Sequence, residues 1–494
     1  MDENKLNIVE LFSGPGGLGL GFHLQGFNTT VAYEYEDDCI DTYSANFPEA
    51  EVVKKDLSDF TKEDMTELRK TVRRKTGKED VDIVVGGPPC RSFSSANPKK
   101  KKGDPRDVLY RPLIKVASEL NAKYFVMENV ADINNKTSGD VHEKKVFHII
   151  LEELLEEGFK YINCNLLNSA DYGTPQTRER LIVIATKDEN LPLTFPKPLY
   201  FPNQEPRWKT VEEAFQDLPR VSAPKDPSYG EQQEYTKKDG KMYICEDYGD
   251  SPQNDFTKFC RGELTKYGYV QKKLVKGTVN KLTNFIIPNH TERIIERYSL
   301  LQEDESQGLL RDRLDREMSE KDLQELIKRK VISAGTFRQK NRRLPLNRPS
   351  RTVTSHVREE LVHPEFNRNL TAREAARLQG FPDWYVLKGI NQKPYKGSSE
   401  DLGNGRDFYQ QVGDAVPPLL ASAIAYELKK NLMPGSQSAI CKDERESLIN
   451  WVIKEGITLQ EIKRSEISPS VTIGAALSGT VNFDLEFMSP FTLV

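Results

Sequence analysis

The chain has 494 residues, which is long enough for two or three domains. Its 71 lysines and arginines against 75 aspartates and glutamates give a net charge of −4, which excludes a global basic field that would hold nucleic acid. Its six cysteines are scattered without a CxxC pair, so neither a disulfide framework nor a metal site is expected. No apolar stretch approaches the roughly 18 residues of a membrane span and the first residues predict a strand instead of a signal peptide, so we expect a cytoplasmic protein without membrane contacts.

The first three predicted strands all end in groups suited to a nucleotide-like cofactor. Strand 6–12 runs into the glycine-rich segment 13–19, where backbone N–H groups can approach a ligand closely as a helix begins. The strand 29–33 ends in Glu34, at the distance from the glycines where an acidic side chain commonly accepts from ribose hydroxyls. A third β-like stretch is followed by Asp56. These three strand ends together predict an adenosine-bearing cofactor.

A cysteine ends the fourth predicted strand. The apolar run 81–85 is stopped by Gly86-Gly87-Pro88-Pro89, and Cys90 follows at the carboxyl edge of the sheet, where open α/β folds place their ligands. A small buried residue is the alternative role for such a cysteine taken alone. The polar segment 91–107, which contains four consecutive lysines, has the composition of a mobile lid.

The fifth predicted strand places a carboxylic acid at the same edge. Residues 124–127 form an apolar run that ends in Glu128. Desolvation at the end of such a strand raises a carboxyl pKa and suits the group to donate a proton, whereas a capping or salt-bridged glutamate is the alternative. Helices are predicted before this strand, from about Leu109, and after it, at 143–157.

Two further strands are predicted at 161–167 and 180–185, separated by an extended polar segment. Because side chains alternate along an extended chain, Gln176, Arg178 and Arg180 are expected to share one face. Arginine is suited to holding a phosphate group or a carbonyl oxygen.

The regular alternation of strands and helices ends near residue 191, where prolines and charges become denser. Within 191–404 the sequence predicts a less regular second domain, with a short strand at 353–354 and a helix that begins with a capping box at Thr371. A final helix opens at Pro417-Pro418. The extension 433–494 carries one predicted helix near 444–454 and no functional interpretation.

Taken together, these segments closely resemble the ordered motifs of the DNA (cytosine-5) methyltransferase family over about residues 6–430. The segments that carry the resemblance are Phe12-Ser13-Gly14-Pro15-Gly16-Gly17, Glu34, Asp56, Pro88-Pro89-Cys90, Glu128-Asn129-Val130, Gln176-x-Arg178-x-Arg180, Arg351-Thr352-Val353-Thr354, Arg377-Leu378-Gln379-Gly380-Phe381-Pro382 and Gln411-Val412-Gly413-Asp414-Ala415-Val416-Pro417. Two positions depart from the family pattern. Arg91 follows the cysteine where glutamine is usual, and Asp414 stands where asparagine is usual.

The resemblance implies an α/β fold with a Rossmann-like S-adenosylmethionine-dependent methyltransferase sheet in residues 1–190, completed by 405–432. The irregular part, 191–404, is implied to contain the target-recognition domain. The implied cofactor is S-adenosyl-L-methionine. The residues that the resemblance assigns to it are Phe12, Ser13, Gly14, Gly16, Gly17, Leu18, Glu34, Tyr35, Asp56, Leu57, Pro88, Leu109, Asp414 and Ala415.

The resemblance also implies the chemistry. Cys90 would add to C6 of a flipped-out cytosine, and Glu128 would steady or protonate N3. Arg180 would bind O2, whereas Arg178 would hold the phosphate or thiolate region. The residues assigned to DNA contact are Arg91, Ser92, Lys99, Lys100, Lys101, Lys102, Gln176 and Thr354.

The implied substrate is a specific duplex DNA sequence, bound by one copy of the chain and protected against a separate restriction or defence nuclease. Two alternatives remain at this point: a tRNA cytosine-5 methyltransferase, and a non-catalytic DNA-binding or regulatory descendant. The long irregular part, 191–404, argues against the first, because RNA-directed relatives are compact. The presence of Cys90, Glu128 and both arginines argues against the second. The recognised sequence and the base that removes the C5 proton are left open.

Overall fold

The computed structural model describes residues 5–89, 108–135, 146–229, 235–238, 242–264, 266–271, 278–335, 337–389 and 407–433. Its strands are β1 (Asn7–Leu11), β2 (Asn28–Glu34), β3 (Glu51–Lys54), β4 (Ile83–Gly86), β5 (Tyr124–Asn129), β6 (Tyr161–Asn168), β7 (Glu179–Thr186), β8 (Thr236–Lys238), β9 (Met242–Ile244), β10 (Ile286–Ile287), β11 (Arg342–Arg343) and β12 (Leu361–Val362).

The main sheet has the order β3-β2-β1-β4-β5-β7-β6. Strands β1 to β5 pair in parallel, and β7 is antiparallel to both β5 and β6. The chain order therefore reverses between β1 and β4, which is the point where open α/β sheets bind ligands. The α/β fold class predicted from the sequence is confirmed.

The helices of the described residues fall into those of the first 190 residues and those that come later in the chain. Those of the first 190 residues are α1 (Gly17–Leu24), α2 (Asp37–Asn46), α3 (Lys62–Thr76), α4 (Tyr110–Glu119) and α5 (Val146–Glu156). The later ones are α6 (Val211–Phe215), α7 (Asp255–Cys260), α8 (Glu292–Leu300), α9 (Gln307–Glu317), α10 (Glu320–Lys328), α11 (Val357–Glu360), α12 (Ala372–Gln379), α13 (Phe408–Asp414) and α14 (Pro418–Leu432). Among all the described residues, no helix is both long and apolar enough to cross a membrane.

Alternating side chains of the parallel strands build two separate cores. On β1, Val9 joins a core with α3, α4 and α5, while Ile8 points to the opposite face and packs with α1 and α14. The α1 and α14 helices approach closely because Gly21 has no side chain. A Cβ atom at Gly21 would lie only 2.3 Å from the Cβ of Ala421. The last described helix thus covers the sheet that the first residues begin. The predicted domain boundaries stay predictions.

Local signals placed two of the later helices, α12 and α14, correctly. Thr371 and Glu374 form the predicted capping box of α12, and the helix ends at Gly380, whose φ is 90°. The α14 helix begins at the predicted proline pair. The strand predicted at 353–354 is wrong, because the backbone of Val353 bonds to the side chains of Gln176 and Arg178 instead of to a neighbouring strand. The helix predicted near 444–454 lies outside the described residues.

Paired charges hold the second half of the chain together. Arg377 of α12 is fully buried and bonds to both Asp217 and Asp383. Burial alone would raise the pKa of Asp383, but the charge and hydrogen bonds of Arg377 outweigh it and lower that pKa. An unpaired charge would be costly at this depth, so the three side chains fix the position of α12 as a unit.

Candidate active site

A glycine turn links β1 to α1 at the carboxyl edge of the sheet. Phe12, Gly14 and Gly16 all have positive φ, at 55°, 53° and 92°. A Cβ atom at Gly16 would lie 2.5 Å from the hydroxyl oxygen of Tyr385, and one at Gly17 would lie 2.3 Å from the carbonyl oxygen of Val416. The turn is therefore folded tightly against chain segments that come almost 400 residues later, and its glycines are needed for that contact.

Glu34 holds this turn from the neighbouring strand. One carboxylate oxygen accepts from the backbone N–H of Gly14 at 2.6 Å, and the other accepts from Tyr35 and Glu36 at 2.8 and 3.0 Å. An ionised carboxylate has about four acceptor positions, so Glu34 can still accept from a ligand hydroxyl. Tyr35 is 48% exposed beside it.

The third strand end completes the predicted cofactor edge. Asp56 is exposed and caps a short 3-10 helix by accepting from the N–H of Ser58 at 2.9 Å. Leu57 and Leu109 are buried, and so is Pro88 after β4. The structure thus places these predicted residues after β1, β2, β3 and β4, which are neighbours at the carboxyl edge.

The turn fits the predicted adenosine-bearing cofactor. The Oγ atom of Ser13 is buried without a hydrogen-bond partner among the described residues, so the turn has a polar group to offer a ligand. A Cβ atom at Gly14 would meet nothing within 4 Å, so space is open above the turn. Beside it, Leu18 is buried in the first turn of α1. The helix start, Glu34 and Tyr35 surround that space with donors, an acceptor and an aromatic face.

Glu128 and Arg180 form an ion pair at the end of β5. The Nε of Arg180 lies 2.8 Å from Oε1 of Glu128, and both side chains are about nine-tenths buried. Burial raises the pKa of Glu128, and the nearby charges of Arg180 and Arg178 offset only part of that effect. The direction is the one predicted from the sequence. A second nitrogen of Arg180 donates to the carbonyl of Glu179 at 2.7 Å, and its remaining terminal nitrogen has no partner among the described residues.

The turn that leads to Cys90 lies against this carboxyl group. A Cβ atom at Gly87 would lie 3.0 Å from Oε2 of Glu128, and the side-chain amide of Asn129 donates to the carbonyl of Pro88 at 3.3 Å. The chain therefore enters the cysteine segment directly beside Glu128. Cys90 itself lies outside the described residues, as do Arg91, Ser92, Lys99, Lys100, Lys101 and Lys102.

Gln176 and Arg178 share a face as predicted, but that face is buried. Gln176 is fully buried, accepts from the N–H of Val353 at 2.6 Å and donates to Gln379 of α12. Protein atoms surround this side chain, and its predicted contact with DNA stays a prediction. Arg178 donates to the carbonyls of Val353 and Gly413 and is 3% exposed. It positions two chain segments beside Glu128.

The motif that contains Gly413, Asp414 and Ala415 packs against Thr354 and against the glycine turn. Gly413 lies so close to Thr354 that a Cβ atom would be 2.1 Å from its carbonyl oxygen. The Thr354 hydroxyl donates to Glu360 at 2.6 Å, so this predicted DNA contact is occupied by a protein partner. Ala415 is buried against the glycine turn, where a Cβ atom at Gly17 would lie 3.1 Å from it, whereas Asp414 is exposed.

Three residues near the site were not singled out from the sequence. Glu10 is buried beneath α1, where it bonds to the N–H of Gly19 at 3.0 Å and to the hydroxyl of Tyr43 at 2.6 Å. Tyr385 donates to the carbonyl of Pro15. Arg351 is exposed beside the predicted arginine segment. No local sequence signal marks the first two. Arg351 lies inside a motif that carries the family resemblance, so its positive charge was a signal that could have singled it out.

Known proteins are similar to this chain in sequence and in fold. The profile of the family "C-5 cytosine-specific DNA methylase" matches residues 6–430. The type II methyltransferase M.DdeI of Desulfomicrobium norvegicum is 32% identical over 424 residues, which cover 85% of this chain and 88% of that protein. The type II methyltransferase M1.HphI of Haemophilus parahaemolyticus is 30% identical over 428 residues, which cover 86% and 87%.

A solved structure shows the same fold. It is described as a DNA modification methyltransferase encoded within a prophage (E. coli), and it superposes with a TM-score of 0.57 and 23% identity over 87% of this chain and 99% of that one. Because the family profile spans most of the sequence, the chain belongs to the C-5 cytosine-specific DNA methylase family.

Proposed function

We propose that this chain, a DNA cytosine-5 methyltransferase, transfers a methyl group from S-adenosylmethionine to a flipped-out cytosine through a covalent bond between Cys90 and C6. The observation that carries the proposal is the buried pair of Glu128 and Arg180, with the turn that leads to Cys90 so close that a Cβ atom at Gly87 would lie 3.0 Å from the carboxyl group. The turn that precedes Cys90, the acid and the cation thus lie at the same edge of the sheet as the glycine turn.

Each of these residues has a part in activating the base. C5 of cytosine is a poor nucleophile within an aromatic ring, so the thiolate of Cys90 adds to C6 and the electrons of the C5–C6 double bond become available at C5. Glu128 donates its proton to N3 and prevents negative charge from accumulating on the ring. Its raised pKa favours the protonated form that this step needs. The remaining terminal nitrogen of Arg180 donates to O2.

The reaction is completed by elimination. S-adenosylmethionine, when bound, supplies the electrophilic methyl group that C5 takes up. A base then removes the C5 proton, the C5–C6 double bond forms again, the bond from C6 to the sulfur of Cys90 breaks, and the proton on N3 returns to Glu128. Cysteine suits both ends of this sequence because a thiolate is strongly nucleophilic and also leaves readily.

The cofactor would be held by the residues that line the open space at the sheet edge. Glu34 would accept from the ribose, and Tyr35 would lie against the adenine. The hydroxyl of Ser13 and the N–H groups at the start of α1 would face the methionine end. Asp56 would contact the edge of the adenine.

The base must leave the duplex, because its C5 and C6 atoms are not accessible to a thiol inside the stack. Extrusion costs a few kcal/mol, and we propose that residues 91–107 fill the gap and offset that cost. The substrate is a specific duplex DNA sequence, and the similarity to type II methyltransferases supports a role in protecting host DNA from a separate restriction nuclease. One copy of the chain in the cytoplasm would bind each site.

Trapping with 5-fluorocytosine tests the covalent step. Fluorine cannot leave as a proton does, so an active enzyme with S-adenosylmethionine should form an adduct with duplex DNA that survives denaturation. Cys90→Ala should form none. The matched control is Cys164→Ala in β6, whose buried thiol should be dispensable for trapping. Adducts with RNA alone, or none with the wild-type protein, would contradict the proposal.

A further inference from the structure

A cavity of about 860 Å³ opens beside the arginine segment, between residues 202–213 and 342–351. Its cationic lining, which we name the arginine groove, consists of Arg207, Lys209, Arg342, Arg348 and Arg351. Thr177 also lines it, so one wall belongs to the segment that carries Arg178 and Arg180. The groove thus lies between the sheet edge and the chain that follows it.

Charge in the groove is positive after all ion pairs are counted. Glu205 pairs with Arg207 at 3.3 Å and Glu213 pairs with Lys209 at 2.8 Å. Asp304 is shared, at 3.0 Å from Arg342 and 2.7 Å from Arg348. Five cations therefore face three carboxylates. The remaining one, Arg351, is exposed and has no ion-pair or hydrogen-bond partner for its guanidinium among the described residues.

The position of Arg351 is fixed relative to the active site. The N–H of Thr177 donates to the carbonyl of Ser350 at 2.9 Å, and the N–H of Ser350 donates to the carbonyl of Pro175 at 3.0 Å. Thr177 is three residues before Arg180, which is about 10 Å of extended chain. One DNA strand carries a phosphate about every 3.4 Å along the axis, so the groove lies within about three nucleotides of a base held at Glu128.

We propose that the arginine groove binds the phosphate backbone of the DNA strand that carries the target cytosine, with Arg351 as a direct phosphate contact. The inference rests on the proposed function. A guanidinium matches the geometry of a phosphate group, and the carboxylates of the groove are already paired, so the surface favours an anionic backbone over base edges. Arg348 adds a second contact by exchanging Asp304 for a phosphate group.

The first test measures how salt changes the affinity for cognate duplex DNA. Each phosphate contact contributes about 0.9 to the slope of log K against log salt concentration, so Arg351→Ala should lower that slope by about one and weaken binding about five- to tenfold at low salt. Arg351→Lys keeps the charge and should keep the slope. The matched control is Arg220→Ala, an exposed arginine paired with Glu365 outside the groove, which should leave the slope unchanged.

The second test locates the phosphate group. A series of duplexes is prepared, each with a single neutral methylphosphonate at a different position within three nucleotides of the target. One of these substitutions, on the target strand, should weaken wild-type binding as much as Arg351→Ala does. In the Arg351→Ala protein that substitution should have no further effect. If the slope is unchanged in Arg351→Ala, or the coupled phosphate lies on the other strand, the inference is overturned. Wild-type adduct formation decides the proposed function separately.

Discussion

The hydroxyl group of Tyr385 donates a hydrogen bond to the carbonyl oxygen of Pro15, so a residue just after α12 holds the glycine turn after β1. Tyr385 is fully buried, and its own carbonyl accepts from Arg373 at 2.8 Å. The same α12 region is fixed to the second half of the chain by Arg377. The shape of the glycine turn therefore depends on the segment that follows α12.

Tyr385→Phe should weaken cofactor binding without unfolding the protein. The change removes one hydrogen bond and leaves the ring in place, and a typical net contribution of about 0.5–1.5 kcal/mol corresponds to a two- to tenfold increase in the dissociation constant of S-adenosylmethionine. Calorimetric titration measures this. Tyr172→Phe is the control, because its buried hydroxyl also donates to a proline carbonyl, that of Pro196 at 3.1 Å, away from the turn. Equal effects of the two changes would contradict the assignment.

Glu128→Gln should abolish most of the methylation rate. Glutamine keeps the size of the side chain and a hydrogen bond to Arg180, but it cannot donate a proton to N3, so we expect the single-turnover rate to fall about 10²–10⁴-fold. The control is Glu179→Gln, an exposed carboxylate one residue before Arg180. A Glu128→Gln protein that forms the 5-fluorocytosine adduct at the wild-type rate would refute the role of this carboxyl group.

Glu10 makes stability depend on pH. Burial raises its pKa, the hydrogen bonds from Tyr43 and Gly19 offset part of that effect, and the net pKa is about 8. Between the unfolded value near 4.3 and about pH 8, the folded state keeps a proton that the unfolded state has lost, so the free energy of unfolding falls as the pH rises through this window. It levels off above about pH 8, and at most about 1.4 kcal/mol is lost per pH unit.

The variant Glu10→Gln removes this dependence while it keeps both hydrogen bonds. Its amide oxygen can accept from the N–H of Gly19, and its NH₂ group can donate to Tyr43. Urea unfolding at pH 5 to 8 should therefore show the variant gaining stability relative to the wild-type protein as the pH rises. The exposed Glu63→Gln serves as the control. Parallel curves for Glu10→Gln and the wild-type protein would show that Glu10 does not titrate in this window.

Local sequence signals predicted the elements that depend on nearby residues. Each apolar run of β1 to β5 spans only a few residues, and so does the capping box of α12. The same kind of local signal placed Glu128 at the end of a buried strand. The strand predicted at Val353 was wrong because its backbone is satisfied by Gln176 and Arg178, which are about 175 residues away in the sequence. Such partners follow from the tertiary fold and have no local pattern.

The same limit explains the roles that changed. Alternation along 176–180 predicted a shared face for Gln176, Arg178 and Arg180, but it could not show that the first two face the protein interior. The bond from Tyr385 to Pro15 joins residues 370 positions apart. Arg351 stood inside a motif, yet its exposure beside Thr177 required the structure.

Arg178 and Arg180 should give opposite results when each is changed to methionine. Arg178 donates to the carbonyls of Val353 and Gly413, so Arg178→Met leaves two buried acceptors unpaired and should lower the free energy of unfolding by about 2–4 kcal/mol. Arg180→Met removes one partner of Glu128, whose carboxyl group can take up a proton, so the loss of stability should be smaller.

The effects of the two substitutions on activity should have the reverse order, with the larger loss in Arg180→Met. At a temperature where both variants remain folded, Arg180→Met should reduce 5-fluorocytosine adduct formation strongly, because the group that would contact O2 is gone. Arg178→Met should retain more of it per folded molecule, since that side chain acts through the segments of Val353 and Gly413. Urea unfolding and adduct formation on the same samples check both results. If Arg178→Met loses adduct formation with unchanged stability, Arg178 contacts the substrate directly, as the sequence alone predicted.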